Sequence, residues 1–254
     1  MITQQQLHAF YHELLKPNSY SDYCPNGLQV EGKTTLQKIA FAVSATKASI
    51  SAAIELQADA LVVHHGLFWH FQGAKPITGA FAQRLLPLIR HELNLFAYHL
   101  PLDGHPDIGN AAVLGQHLQC TAQQPFGDYK GSSTGIQGIF DPPITVTALQ
   151  QQLTEVLQHP VLLASHDTNA LIRSVGIITG GANSEWHAAA KAGLDAYITG
   201  EMSEHDWHDS QEHHVHMFAG GHHATERFGI QALMAKTQEA FAVECCFLDS
   251  DNPA

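Results

Sequence analysis

The sequence is poor in positive charge: 12 Lys and Arg stand against 24 Asp and Glu in 254 residues, a formal net charge of −12. A protein that neutralises a phosphate backbone normally gathers Lys and Arg on one face. No such cluster exists here, so general nucleic-acid binding is disfavoured. No apolar run approaches the roughly 18 residues that a membrane span needs. The opening MITQQQLHAFYHELL has no cationic head followed by an apolar stretch, so no signal peptide and a cytoplasmic address are expected. The four cysteines, Cys24, Cys120, Cys245 and Cys246, form no CxxC pair, which excludes a zinc ribbon and leaves them as reduced thiols. The Gly-rich run from Gly176 to Gly181 matches neither a dinucleotide fingerprint nor a Walker loop. Neither Ser44 nor Ser165 lies in a nucleophile elbow.

What the chain has in abundance is histidine, 19 in all. Imidazole is the commonest metal ligand, but most surface histidines bind nothing, so position must decide. Residues 3–15 carry Leu7, Phe10, Tyr11, Leu14 and Leu15 near helical spacing, and that helix must stop before Pro17. Pro25-Asn26-Gly27 marks a turn ahead of the extended run 28–30. Segments 38–65 and 174–201 then repeat one pattern without a gap, at an offset of about 136 residues. Each reads as an apolar strand, a small-residue turn, an Ala-rich helix, an Asp-Ala pair and a second apolar strand. Asp59 falls on Asp195 and Ala60 on Ala196.

Continuous apolar strands joined by helices predict parallel pairing with both faces covered. The expected fold is therefore α/β, two similar lobes built mainly from parallel βαβ units. The Gly, Ser, Pro and Gln of 120–135 read as a loop or lobe boundary. That places an N-terminal lobe over 1–125, with His64, His65 and Asp103, and a C-terminal lobe over 126–254, with His222 and Glu226; the lobes are free to intertwine. Residues 145–157 and 224–241 read as helices, and 161–164, 171–179 and 243–248 as strands.

Ligands of a parallel sheet collect beyond the carboxyl ends of its strands. Three predicted strands end in candidate ligands: 61–63 in His64-His65, 95–98 in His99 with Asp103 just beyond, and 215–219 in Gly220-Gly221-His222-His223, with Glu226 one turn into the next helix. Adjacent His64 and His65 diverge, so two ions accept them better than one. His222 and Glu226 are four apart and share a helix face. A carboxylate such as Glu226 can bridge two cations, whereas an imidazole cannot. The five residues His64, His65, Asp103, His222 and Glu226 thus predict a pair of divalent ions. Mixed N/O ligation suits Zn, Mn, Fe, Co or Ni without selecting one, and so few protein ligands leave positions for water, as in catalytic sites.

Around that set, His99 reads as an orienting residue or proton carrier. Glu201 and His205 follow the strand that answers to the His64 strand, and they read as acid or base at the same mouth. The bland alternative for both is a charged helix face, which is the expectation for His208, Glu212, His213 and His214. Phe68, Trp69 and Phe71 are expected in the core, with a pocket wall or a stacking face for an aromatic substrate as the alternative.

At these residues the chain resembles the NIF-like dinuclear-metal proteins, the homologues of type 2 GTP cyclohydrolase I. The likeness runs through SDYCPNGLQVEGK, ADALVVHHGLFW, YHLPLDGHPDIGN, DAYITGEMSEH, GGHHATERFGIQAL and the closing NPA. It implies one ion on His65, Asp103 and Glu226 and a second on His64, His222 and again Glu226. It also implies a NIF-like fold and a ring-shaped homohexamer. Family members often carry Asp where Glu201 stands and Tyr where His223 stands, which weakens a fixed catalytic role for either position. The expected activity is metal-dependent hydrolysis of a purine nucleotide, in the manner of a GTP cyclohydrolase. A phosphoester hydrolase and a metal-binding regulatory protein without turnover are the alternatives.

Overall fold

The computed structural model describes all residues, 1–254. The chain divides into two units: Met1–Leu102 with Ile230–Ser250, and Asp103–Gly229 with Asp251–Ala254. The division falls at 102/103, ahead of the low-complexity stretch expected to mark it, and residues 230–250 return to the first unit. Pairing and packing explain both differences. Strand Glu244–Phe247 adds in parallel to Lys38–Ser44, and the Tyr11 hydroxyl meets Thr237 Oγ1 at 2.8 Å in the interior. Helix Asn110–His117, in turn, buries Ala111, Ala112 and Leu114 in the same core as Leu149, Leu153 and Leu157 of helix Val146–Leu157.

The first unit holds a five-stranded sheet in the order 244–247, 38–44, 60–65, 94–97, 27–30. All its pairings are parallel except that of the edge strand Gly27–Val30 with Asn94–Ala97. Ile39 to Val43 and Ala60 to Val63 are buried on both faces, as parallel strands covered by helices require. Burying each Val or Leu of these strands contributes about 1.5–3 kcal/mol. Helix Lys47–Glu55 crosses between them, started by a capping box of Thr46 and Ser49. Helix Gln4–Leu15 begins with the same device, Thr3 and Gln6, and turns its Leu7, Tyr11 and Leu15 inward. It stops where Lys16 takes a left-handed conformation before Pro17.

The second unit holds six strands in the order 121–126, 135–145, 171–177, 196–199, 216–219, 162–164. Only the trio 171–177, 196–199 and 216–219 pairs in parallel; the strands outside it pair antiparallel. The stretch 120–135, expected as a loop, instead supplies edge strand Thr121–Phe126 and a tight return carrying Gly127 and Gly131 at positive φ. An edge strand tolerates its Pro125 and exposed Gln124, because its outer N–H groups have no ladder to serve.

The repeat seen in the sequence is also a repeat of register. Ile39 pairs with Ala60 and Val175 with Ala196, both shifted by 136 residues. The carboxylate of Asp59 accepts the N–H groups of Gln37 and Lys38. That of Asp195 accepts those of Arg173 and Ser174, again 136 further on. The two aspartates bind equivalent points of strands 38–44 and 171–177, so the far ends of the parallel trios 38–44, 60–65, 94–97 and 171–177, 196–199, 216–219 fall at equivalent positions within their own units. No helix is long and apolar enough to cross a membrane.

Candidate metal centre

In the first unit the site grows from the end of strand Ala60–His65. His64 is fully buried, and its Nδ1 lies 3.0 Å from the Tyr98 carbonyl oxygen. A carbonyl only accepts, so Nδ1 carries the proton and Nε2 carries the ligating lone pair. His65 Nδ1 is held at 3.1 Å by Ser44 Oγ from the neighbouring strand. The two rings, 4.5 Å apart, share the strand end with His99, and one ligand atom from each of the three histidines falls within 4.8 Å of the others.

His99 is fixed from behind. Its Nδ1 donates to Asp22 Oδ1 at 2.9 Å and its backbone N–H donates to Asn26 Oδ1 at 2.8 Å. Asp22 also accepts from Cys24 N, Asn26 Nδ2 and Leu100 N. Burial alone would raise the Asp22 pKa. The bonds from His99, Asn26 and Cys24 outweigh it and hold the carboxyl below its ordinary value. Asp22 was not foreseen from the sequence, since its partner is 77 residues away. The one available signal was its place at the head of the Pro25-Asn26-Gly27 turn.

In the second unit, His222 Nε2 and Glu226 Oε2 lie 3.2 Å apart. The helix expected over 224–241 is divided, and the piece that carries His222 is short. It spans only His222–Thr225, with Glu226 at its end, and a separate helix runs over Arg227–Ala240. The break leaves the pair together while ending the helix at the carboxylate. Glu201 Oε1 accepts from His222 Nδ1 at 2.6 Å. Burial would lower the His222 pKa, but Glu226 and then Glu201 favour its charged form and raise it to about 9. Asp103, buried, accepts from Asn110 Nδ2 at 2.9 Å, and Asn110 Oδ1 accepts the Gly229 N–H at 2.7 Å.

The Gly-rich run that failed as a phosphate loop has a different use. Gly180 stands at φ +69°, and a Cβ there would overlap the Glu226 carboxylate and crowd His222 Nε2. Its N–H donates to Thr225 Oγ1 at 3.1 Å, and that hydroxyl donates to the Gly221 carbonyl. The turn therefore passes directly under two expected ligands.

Of the expected proton-handling residues, His99 joins His64 and His65, and Glu201 binds His222. His205 joins neither group. It is mostly exposed on helix Glu204–Glu212, 3.5 Å from Asp206. His208 faces Glu204 at 3.5 Å on the same exposed surface, the charged face that was the bland expectation. Phe68 packs in the core against Phe81. Trp69 instead lies 5.9 Å from the His65 ring and 5.2 Å from the His99 ring, and Phe71 is 69% exposed.

Each unit thus presents imidazole nitrogen or carboxylate oxygen to a common chemistry. The donors suit borderline and hard divalent ions, and their outward nitrogens are bonded as metal-ligating histidines require.

A family model described as Duf34/NIF3 (NGG1p interacting factor 3) matches residues 2–253. The chain belongs to this family. A Vibrio cholerae member named "GTP cyclohydrolase 1 type 2 homolog" is 44% identical over 251 residues, covering 98% of each chain. Among solved structures, the protein ybgI, titled as of unknown function, superposes with a TM-score of 0.91 at 38% identity and full coverage of both chains. A second solved structure, the TTHA1606 protein of Thermus thermophilus, gives 0.90 at 29% identity, also over the full length of both. The α/β architecture with duplicated parallel trios is therefore that of the NIF3 family, and the residue groups able to hold metal lie on its strand ends.

Proposed function

We propose that the protein holds two divalent ions on His64, His65, Asp103, His222 and Glu226 and hydrolyses a purine nucleotide, in the manner implied by its relatives' name. The observation that carries this reading is the second layer of bonds. His64 is oriented by a carbonyl, His65 by Ser44, His222 by Glu201 and Asp103 by Asn110. Orienting partners of this kind fix the tautomer and raise the basicity of metal ligands, and their loss typically costs 10- to 100-fold in metal affinity.

When bound, paired divalent ions supply Lewis acidity that brings the pKa of water toward neutrality. Two carboxylates against two divalent cations leave the centre net positive, which suits an anionic nucleotide on a chain that is otherwise acidic. The residues of the chain then manage protons and position. His99, held by Asp22, takes a proton as water adds to C8 of the guanine ring and returns it to the ring nitrogen as the bond from C8 breaks. A second hydrolysis releases C8 as formate. Glu201 keeps His222 in place. The same reading carries a homohexamer, which light scattering would register as six times 27.7 kDa.

The test is formate release from GTP by the purified chain loaded with Mn or Zn. Stoichiometric formate is expected, falling by about 100-fold or more in His99→Asn. A chain with its full metal content that releases no formate would overturn the proposal.

A further inference from the structure

The ring cluster beside the histidines is placed unlike a core. Tyr23, Trp69 and Phe71 form a triangle whose three centroid separations are 5.8, 5.8 and 5.9 Å. Trp69 is tilted by only 33° to Phe71 and 34° to Tyr23, while Tyr23 and Phe71 stand 53° apart, so the Trp69 face runs in a direction intermediate to its two neighbours. Burial would normally claim such side chains. Yet Phe71 is 69% exposed and Trp69 and Tyr23 are only half-buried, while Phe68, next to Trp69, is packed on Phe81. Phe71 rides on the single turn His70–Gln72, which ends at Gly73 with φ +60° and open space around it.

The inner edge of the triangle meets the chemistry. Trp69 stands edge-on to the His99 ring, at 5.2 Å and 85°, and Tyr23 lies 5.0 Å from the same ring. Trp69 is also 5.9 Å from His65. An exposed aromatic surface that abuts a group of candidate ligands is where a planar molecule would be received: π-faces stack without regard to hydrogen-bond pattern, and each such contact strengthens as water leaves it.

We infer that Tyr23, Trp69 and Phe71 form a stacking platform for the base of a purine nucleotide, holding the ring with its edge toward His65 and His99. The inference deepens the hydrolase reading, on which the identity of the ring rests. The platform itself rests on the geometry of the three rings. Isolated exposed hydrophobics on a protein surface need no explanation. A contiguous aromatic group at the mouth of a site does.

The experiment is equilibrium binding of guanosine, and separately of inorganic triphosphate, to the metal-loaded protein. Phe71→Ala removes an exposed side chain and leaves the core intact. It is expected to weaken guanosine about tenfold, the usual scale for losing one stacked aromatic, with inorganic triphosphate and metal content unchanged. Trp69→Leu should weaken guanosine similarly and Trp69→Phe restore most of the loss. Guanosine should also quench Trp69 fluorescence, a signal lost in Trp69→Phe and kept in Trp207→Phe, since Trp186 is fully buried and Trp207 is the other indole open to solvent.

Failure of guanosine to bind, or equal affinity in wild type and Phe71→Ala, would overturn the platform. So would a change of native mass in Phe71→Ala with guanosine affinity intact, because the face would then be a contact between copies. The two readings separate cleanly. Guanosine bound through Phe71 without formate from GTP sinks the hydrolase and leaves the platform, whereas formate release with an unaltered KM in Phe71→Ala sinks the platform alone.

Discussion

Gly180 places the tightest steric limit on the centre. It occupies the left-handed region at φ +69°, and the space where its Cβ would stand is already filled by the Glu226 carboxylate. Gly180→Ala therefore incurs a backbone cost of about 1–2 kcal/mol and also pushes Glu226 away from His222. The variant is expected to melt lower and to bind less metal, measured by thermal unfolding and by elemental analysis. Unchanged metal content would mean that Glu226 is not a ligand. At this scale the proposed ligands were legible because they sit where strands end. Asp22, Asn110 and Gly180 were not, since each acts through a partner distant in sequence: Asp22 on His99 across 77 residues, and Asn110 on Gly229 across 119. Glu201 was expected as an acid or base, and its bond to His222 was visible only in the structure.

Among the elements, the two strand-starting aspartates matter most to where the strand ends fall. Asp59 accepts from Lys33 Nζ as well as from Gln37 and Lys38. Burial would raise its pKa; those bonds overcome it and lower the carboxyl from its ordinary 3.8. A depressed carboxylate contributes stability above its unfolded pKa and loses it as pH falls through the folded value. Asp59→Asn is expected to cost about 1–2 kcal/mol at pH 7 and to show a flatter decline in denaturation midpoint below pH 4 than wild type. A wild-type acid limb in the variant would contradict the assignment. The sequence disclosed these elements through the matched Asp-Ala pairs and apolar runs. It misled at 120–135, where turn-forming composition concealed an edge strand, because edge pairing asks little of side chains. It also read 224–241 as one helix where the chain breaks at Glu226 into two, since no Pro or Gly stands at the break to announce it.

Over the molecule as a whole, one pattern used twice gives each unit a parallel trio with polar side chains at its carboxyl ends, and the second use has a carboxylate where the first has an imidazole. Position 65 is His in the first trio, while its counterpart 201 is Glu, bonded to His222. The boundary at 102/103 was hidden from sequence because the returning segment 230–250 belongs to the first unit through partners far away in the chain: strand 38–44, Tyr11 and Phe10.

The most direct test of the dinuclear reading is the metal content of the purified chain, with ion positions located by anomalous diffraction. Two divalent ions per chain are predicted, with Glu226 between them, falling to one or none in Glu226→Ala and staying at two in His205→Ala. A loaded crystal holding no ion at His64 or His65, or a Glu226→Ala chain that keeps both metals, would contradict it.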